Sequence, residues 1–190
     1  NDAGDINDSR RARGSIPGLG NDTLEIDNLV TGKHEVVHTF GWYMRKMIDE
    51  TKAKGATPIV LSMTARDVWS DGRIERKNKF CTLSKEIAAQ TQSDFIDLRN
   101  IIADQYELLG PVRVRELFPI DHTHTGPDGA DINAVLVVSG LKAINSPVIQ
   151  MASKLGKNIT PYSPNLMVEQ VKKWMISAWM PEAQPASDST

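Results

Sequence analysis

Thr51-Lys-Ala-Lys-Gly-Ala-Thr-Pro-Ile-Val-Leu-Ser62 carries the end of a helix into a buried strand within one short stretch. Lys52 and Lys54 stand where a helix C-terminus favours cations. Gly55 is a natural residue just past a helix end. Ile59-Val-Leu61 is a short apolar run rich in β-branched side chains, which suits a strand covered on both faces, as in a parallel sheet. Helix, glycine and buried strand in that order form the second half of a βαβ unit.

Upstream, Val37, Phe40, Met44, Met47, Ile48 and Thr51 recur at helical spacing, with Val36 and Tyr43 widening the stripe. They predict one helix over residues 34–54. Residues 1–33 show no periodicity and read as a long loop holding Arg10, Arg11 and Arg13. Downstream, Asp71-Gly72 is a turn signal in a loop over 66–73. A helix follows over 74–92, with Phe80, Leu83, Ile87 and Ala88 as its stripe, and then a strand over 94–98. Helices are expected over 100–109, 112–117 and 128–144, with a loop over 118–127. Helix and strand alternate from 33 to 145, which is α/β with a parallel sheet. Only two strands are legible, whereas sheets of this kind hold about five or six. The remaining strands are therefore expected upstream of Asn1.

Residues 146–190 differ from what precedes them. Ser146-Pro147 and Ser163-Pro164 each look like a helix start with proline at the first position. Met167, Val171, Trp174 and Ala178 share a face, and a Ser/Pro/Ala tail follows Pro181. The expected division is 1–145 as the C-terminal part of a larger α/β domain and 146–190 as a helical extension with a disordered tail.

The whole chain has 190 residues, 22 basic and 24 acidic side chains and a formal charge of −2. A balance of that kind lacks the basic stripe of a nucleic-acid binder. No apolar run is long enough to span a bilayer. Cys81 is the one cysteine, so neither an internal disulfide nor a four-cysteine zinc site is available.

The densest polar cluster is Asp121-His-Thr-His-Thr125, set between Phe118-Pro-Ile120 and a helix start. Three chemistries fit it. Asp121 can orient His124 as the general base for a serine nucleophile. His122, His124 and Asp121 can ligate zinc or iron in a metal-dependent hydrolase. The same groups can simply hold the loop and cap the following helix.

Phe118-Pro-Ile-Asp-His-Thr-His-Thr-Gly-Pro-Asp-Gly-Ala-Asp131 resembles the last conserved block of the rhamnogalacturonan acetylesterases, which belong to the SGNH (GDSL-type) hydrolases. Arg11-Ala-Arg-Gly-Ser-Ile-Pro-Gly-Leu-Gly20, His34-Glu-Val-Val-His-Thr-Phe-Gly-Trp-Tyr43, Thr51 to Ser62 and Phe95-Ile-Asp-Leu98 are similar to further parts of that family, in its order. The resemblance covers residues 1 to about 144. It implies a three-layer α/β/α, flavodoxin-like SGNH fold with a parallel sheet. It also implies a Ser-His-Asp esterase without metal or organic cofactor, acting on acetylated pectic polysaccharide outside the cell or in the periplasm. The family's catalytic carboxylate and base fall on Asp121 and His124, and His122 is assigned a structural part. Asn1-Asp2 looks like the end of the family's Gly-x-Asn-Asp block, which makes Asn1 the implied oxyanion donor.

The departure from the family pattern is the nucleophile. The family's serine lies in a Gly-Asp-Ser block near the start of its domain, and no Gly-Asp-Ser occurs here. The chain is therefore expected to be an N-terminally truncated member, inactive alone. A carbohydrate-binding relative without catalysis is the remaining alternative. Arg10, Arg11 and Arg13 could meet uronate carboxylates or simply be solvated. Trp69 could stack on a sugar or cap the core, and Cys81 is expected to be a small buried apolar group. Asn7, Asn21 and Asn158 stand in N-glycosylation patterns. The Met/Trp stripe could meet a partner surface or pack on the domain.

Overall fold

A computed structural model describes residues 15–28 and 31–164. Asn1, the arginine cluster, Asn7 and the Met167–Ala178 stripe lie outside the described residues. The protein is mixed α/β, and the chain divides into two compact units.

The first unit comprises residues 1–65 and 76–100. It opens with an antiparallel hairpin of β1 (Thr23–Asn28) and β2 (Lys33–His38), in register Leu24 to Val37 and Ile26 to Glu35. This corrects two expectations, the loop over 1–33 and a helix beginning at His34. Val36 and Val37 look helical in a stripe that starts at Val37. As paired strand residues they alternate instead, Val37 buried and Val36 half exposed, and β-branched side chains favour the pleat. The helix α1 (Phe40–Ala53) cannot start earlier because Thr39 is its cap. The Thr39 backbone is extended, outside the helix, and its side-chain Oγ1 accepts from Trp42 N at 3.0 Å.

After α1 comes β3 (Ile59–Leu61), as the opening stretch predicts. The next helix in this unit is α2 (Lys79–Gln90), and then comes β6 (Asp94–Ile96). β3 and β6 pair in parallel, Val60 against Phe95. α2 begins five residues later than predicted because Asn78 caps it, accepting from Phe80 N at 2.9 Å and Cys81 N at 3.3 Å. The core joins Ile48 of α1, Val60 of β3, and Ile87 and Ala88 of α2, with Leu19, Met44 and Phe95 packed against it. Ile87 is wholly buried, and a side chain of that size contributes about 1.5–3 kcal/mol by leaving water. At the ends of β3 and β6, Ser62 Oγ donates to Asp97 Oδ1 (3.1 Å) and accepts from Arg99 N (2.9 Å). The buried Arg99 guanidinium donates to the carbonyls of Arg76 and Thr64.

The second unit comprises residues 66–75 and 101–190. It holds a short antiparallel hairpin, β4 (Trp69–Ser70) with β5 (Arg73–Ile74). The predicted Asp71-Gly72 turn joins them. Both turn residues have positive φ, 52° and 75°, the pairing that a tight hairpin turn demands and that glycine meets without strain. The helix α3 (Leu98–Leu109) enters this unit at Ile101. It is followed by α4 (Pro111–Glu116), α5 (Pro127–Ala143), a 3₁₀ turn (Pro147–Met151) and α6 (Lys154–Asn158). Ile102, Tyr106, Val114, Leu117, Phe118, Ile132 and Leu136 are buried, and Phe118 meets Tyr106 edge-on at 5.8 Å. Residues 154–164 are tied to α5 and α3. Ser139 Oγ donates to Thr160 O, Lys142 Nζ to Lys157 O and Ile159 O, and Tyr162 Oη to Asp104 Oδ2.

Six strands thus occur among the described residues where two are legible in the sequence, and they form three separate two-stranded sheets. The parallel pair is the predicted one.

Candidate active site

The loop over 118–126 leaves α4 and returns to α5. Its neck is closed by Gly126 N donating to Leu117 O at 2.8 Å. Pro127 then opens α5 at its first position, where the missing N–H has no helical partner to lose.

Inside the loop, Asp121 folds the chain around its own carboxylate. Oδ1 accepts from the backbone N–H groups of Thr123 and His124, both at 2.7 Å. This is the local side-chain-to-backbone bonding that aspartate favours in turns. Oδ2 lies 2.7 Å from His124 Nδ1. The Asp-x-x-His spacing therefore places the two rings of bonds on one carboxylate. The His124 hydrogen bond, followed by those from the His124 and Thr123 amides, holds the Asp121 carboxyl well below the usual carboxylate range. An ionised carboxylate only accepts, so in the neutral imidazole Nδ1 carries the proton and Nε2 presents its lone pair. Nε2 has no hydrogen-bond partner among the described residues, and the His124 side chain is 76% exposed. A base with an oriented ring and an open Nε2 can take a proton from a hydroxyl or a water.

His122 is held differently. Its carbonyl accepts from Asp67 N at 2.9 Å, and its side chain is exposed. Among the described residues no three His, Cys, Asp or Glu side chains gather as a metal-ligand set. Asn1 lies outside the described residues. Ser62 is buried, and its hydroxyl is committed to Asp97 and Arg99. Cys81 is half-buried rather than buried, and burial pushes its thiol up. It is a poor nucleophile for that reason.

Trp69 is only partly buried, and its indole Nε1 donates to Asp67 Oδ1 at 2.8 Å. Nothing in Arg66-Asp-Val-Trp69 marks the carboxylate as buried, yet its side chain is 1% exposed. Its Oδ2 lies 2.9 Å from Arg115 Nε. That N–H is not aimed at the oxygen, so Oδ2 has charge compensation without an aligned hydrogen bond.

No protein-family model matches the chain. A rhamnogalacturonan acetylesterase of Emericella nidulans is 30% identical over 135 residues, covering 70% of this chain and 54% of that protein. A probable rhamnogalacturonan acetylesterase of Bacillus subtilis, YesY, is 27% identical over 122 residues, covering 61% of this chain and 56% of that one. The chain spans about half the length of these curated relatives. The crystal structure of protein YXIM from Bacillus subtilis matches with a TM-score of 0.52 at 28% identity, over 55% of this chain and 30% of that one.

Proposed function

We propose that the chain is a member of the rhamnogalacturonan acetylesterase family and the base-bearing part of a carbohydrate esterase of the SGNH type, on the strength of its likeness to the two curated relatives. The observation that carries the proposal is the Asp121–His124 pair, with Nδ1 held at 2.7 Å and Nε2 open.

In the proposed reaction a serine hydroxyl attacks the carbonyl carbon of an acetyl ester, and its proton passes to His124 Nε2. Asp121 keeps the ring in the Nδ1–H tautomer and offsets the positive charge that forms. The tetrahedral intermediate collapses, the sugar oxygen leaves, and the imidazolium returns the proton to it. Water then attacks the acetyl-serine carbonyl carbon, its proton taken by His124 Nε2, and as this second intermediate collapses the proton returns to the serine oxygen and acetic acid departs as acetate. Asn1 is the proposed donor to the oxyanion, a part that is typically worth about 2.7–4 kcal/mol. The serine is proposed to lie outside residues 1–190, because the sequence contains no Gly-Asp-Ser.

Residues 1–145 are assigned to the esterase domain, of the three-layer α/β/α kind, and 146–190 to an extension whose first part lies on α5. Acetylated pectic polysaccharide is the proposed substrate, on the strength of the relatives' names, and an extracellular or periplasmic location accompanies such a polymer. Among the described residues no helix is long and apolar enough to cross a membrane.

The test compares the full-length protein, its His124→Ala variant and residues 1–190 alone on an aryl acetate. The variant should lose about 10²–10⁴-fold in kcat/KM, the range of a general base, and residues 1–190 should show no turnover. An unaffected full-length variant, or hydrolysis by residues 1–190 that depends on His124, refutes the proposal.

A further inference from the structure

We propose that Asp67 is a positioning residue for the Asp121–His124 pair, acting through the peptide unit between His122 and Thr123. The inference rests on the proposed role of His124 as base.

The His122–Thr123 peptide is used at both ends. Its carbonyl accepts from Asp67 N at 2.9 Å, and its N–H donates to Asp121 Oδ1 at 2.7 Å. A peptide unit is planar and stiff. Its C=O and N–H point in opposite directions, so fixing the first fixes the second. The orientation of the Asp121 carboxylate therefore depends on where the Asp67 N–H stands. Oδ2 of the same carboxylate holds His124 Nδ1, which completes the connection to the base.

The Asp67 main chain is in turn fixed by its own side chain. Oδ1 accepts from Trp69 Nε1 at 2.8 Å, at the start of the β4–β5 hairpin. Oδ2 meets the Arg115 guanidinium of α4, the helix that leads into the loop. Trp69 and Arg115 thus pin one buried carboxylate from two elements, and the backbone of that residue pins the loop. A carboxylate 1% exposed has lost its hydration and needs compensation from the protein. The indole bond and the Arg115 charge supply that compensation. The cost is understandable if the geometry it enforces is needed at the loop.

Asp67→Asn tests the idea, because it keeps the size and the Oδ1 acceptor while removing the charge that faces Arg115. In ¹⁵N-labelled residues 1–190, imidazole nitrogen shifts report which ring nitrogen carries the proton. The unsubstituted chain should hold His124 as the Nδ1–H tautomer, and Asp67→Asn should move it toward Nε2–H. In the full-length protein the same change should lower kcat by about tenfold to a hundredfold with KM unchanged, as a misplaced base does. Trp69→Phe and Arg115→Gln each remove one of the two pins and should produce smaller shifts in the same direction. They also serve if Asp67→Asn does not fold. Folded variants whose His124 tautomer matches the unsubstituted chain overturn the proposal. The tautomer readout is independent of turnover. A failure of the esterase reading would instead appear as full activity in the full-length His124→Ala variant.

Discussion

Gly129→Ala sets two opposing effects against each other at the base of the site. Gly129 is the third residue of α5. A Cβ built there falls 2.9 Å from Thr125 Cβ, 3.0 Å from Thr125 Cγ2 and 3.2 Å from Leu117 Cβ. Carbon atoms settle at about 3.5–4.0 Å, so the neighbours must yield by roughly 0.6 Å or more. Leu117 is 2% exposed and has nowhere to go. The nearest Thr125 atom is Cβ itself, which no rotamer change moves. The loop backbone must therefore shift. Alanine gains about 1 kcal/mol over glycine inside a helix, and less near its end. Overpacking costs about 1–3 kcal/mol. The net expectation is a destabilisation of up to about 2 kcal/mol, measured by urea denaturation of residues 1–190. Thr125 follows His124 directly, so the displacement should also loosen the 2.7 Å Asp121–His124 bond and shift the His124 ring nitrogen signals. A variant more stable by about 1 kcal/mol, with unchanged His124 signals, would mean that helix propensity alone governs the site and that the loop is not closely packed on α5.

Gly41→Ala should be more severe. Its Cβ would lie 2.6 Å from Leu19 Cα, a backbone atom, and the Leu19 segment is tied down by Arg45 Nη1 to Leu19 O and Gly41 N to Gly18 O. A loss of about 3 kcal/mol or more is expected in the same denaturation experiment, and a loss under about 1 kcal/mol would contradict that close approach. His34 on β2 lies 3.0 Å from Asp27 and 3.4 Å from Glu25, and the Asp27 hydrogen bond first, with help from Glu25, raises it above 6.5. A folded-state value above the unfolded one means that His34 steadies the hairpin fully below about pH 6.5 and loses that effect as pH rises through the raised value. An NMR titration of the His34 ring should give a midpoint above 6.5, and a midpoint at or below it would remove the interaction.

The Asp121–His124 pair was legible because its geometry is local. Asp121 and His124 are three residues apart, and a carboxylate that bonds the amides of residues two and three ahead brings the ring back to itself. The strand at Ile59 was legible for a similar reason, since a helix stop and a β-branched apolar run need no distant partner to be read. The β1–β2 hairpin was harder. Thr23-Leu-Glu-Ile-Asp-Asn28 alternates weakly, and Val36-Val37 fits a helical stripe as well as a strand until Thr39 is seen to cap α1. Register with a partner strand settled that ambiguity.

Asp67 shows where sequence alone stops. Its burial, its indole bond and its ion pair come from Trp69 two residues on and from Arg115 in a helix far along the chain. The sequence by itself determined the mixed α/β class, the two strands that pair in parallel and the local Asp121–His124 pairing, because each depends on periodicity or on bonds within a few residues. Only the tertiary structure decided that His122 serves the loop through its carbonyl and that a buried carboxylate stands behind it. Burial and long-range hydrogen bonding belong to positions in space, and no local pattern of residues encodes them.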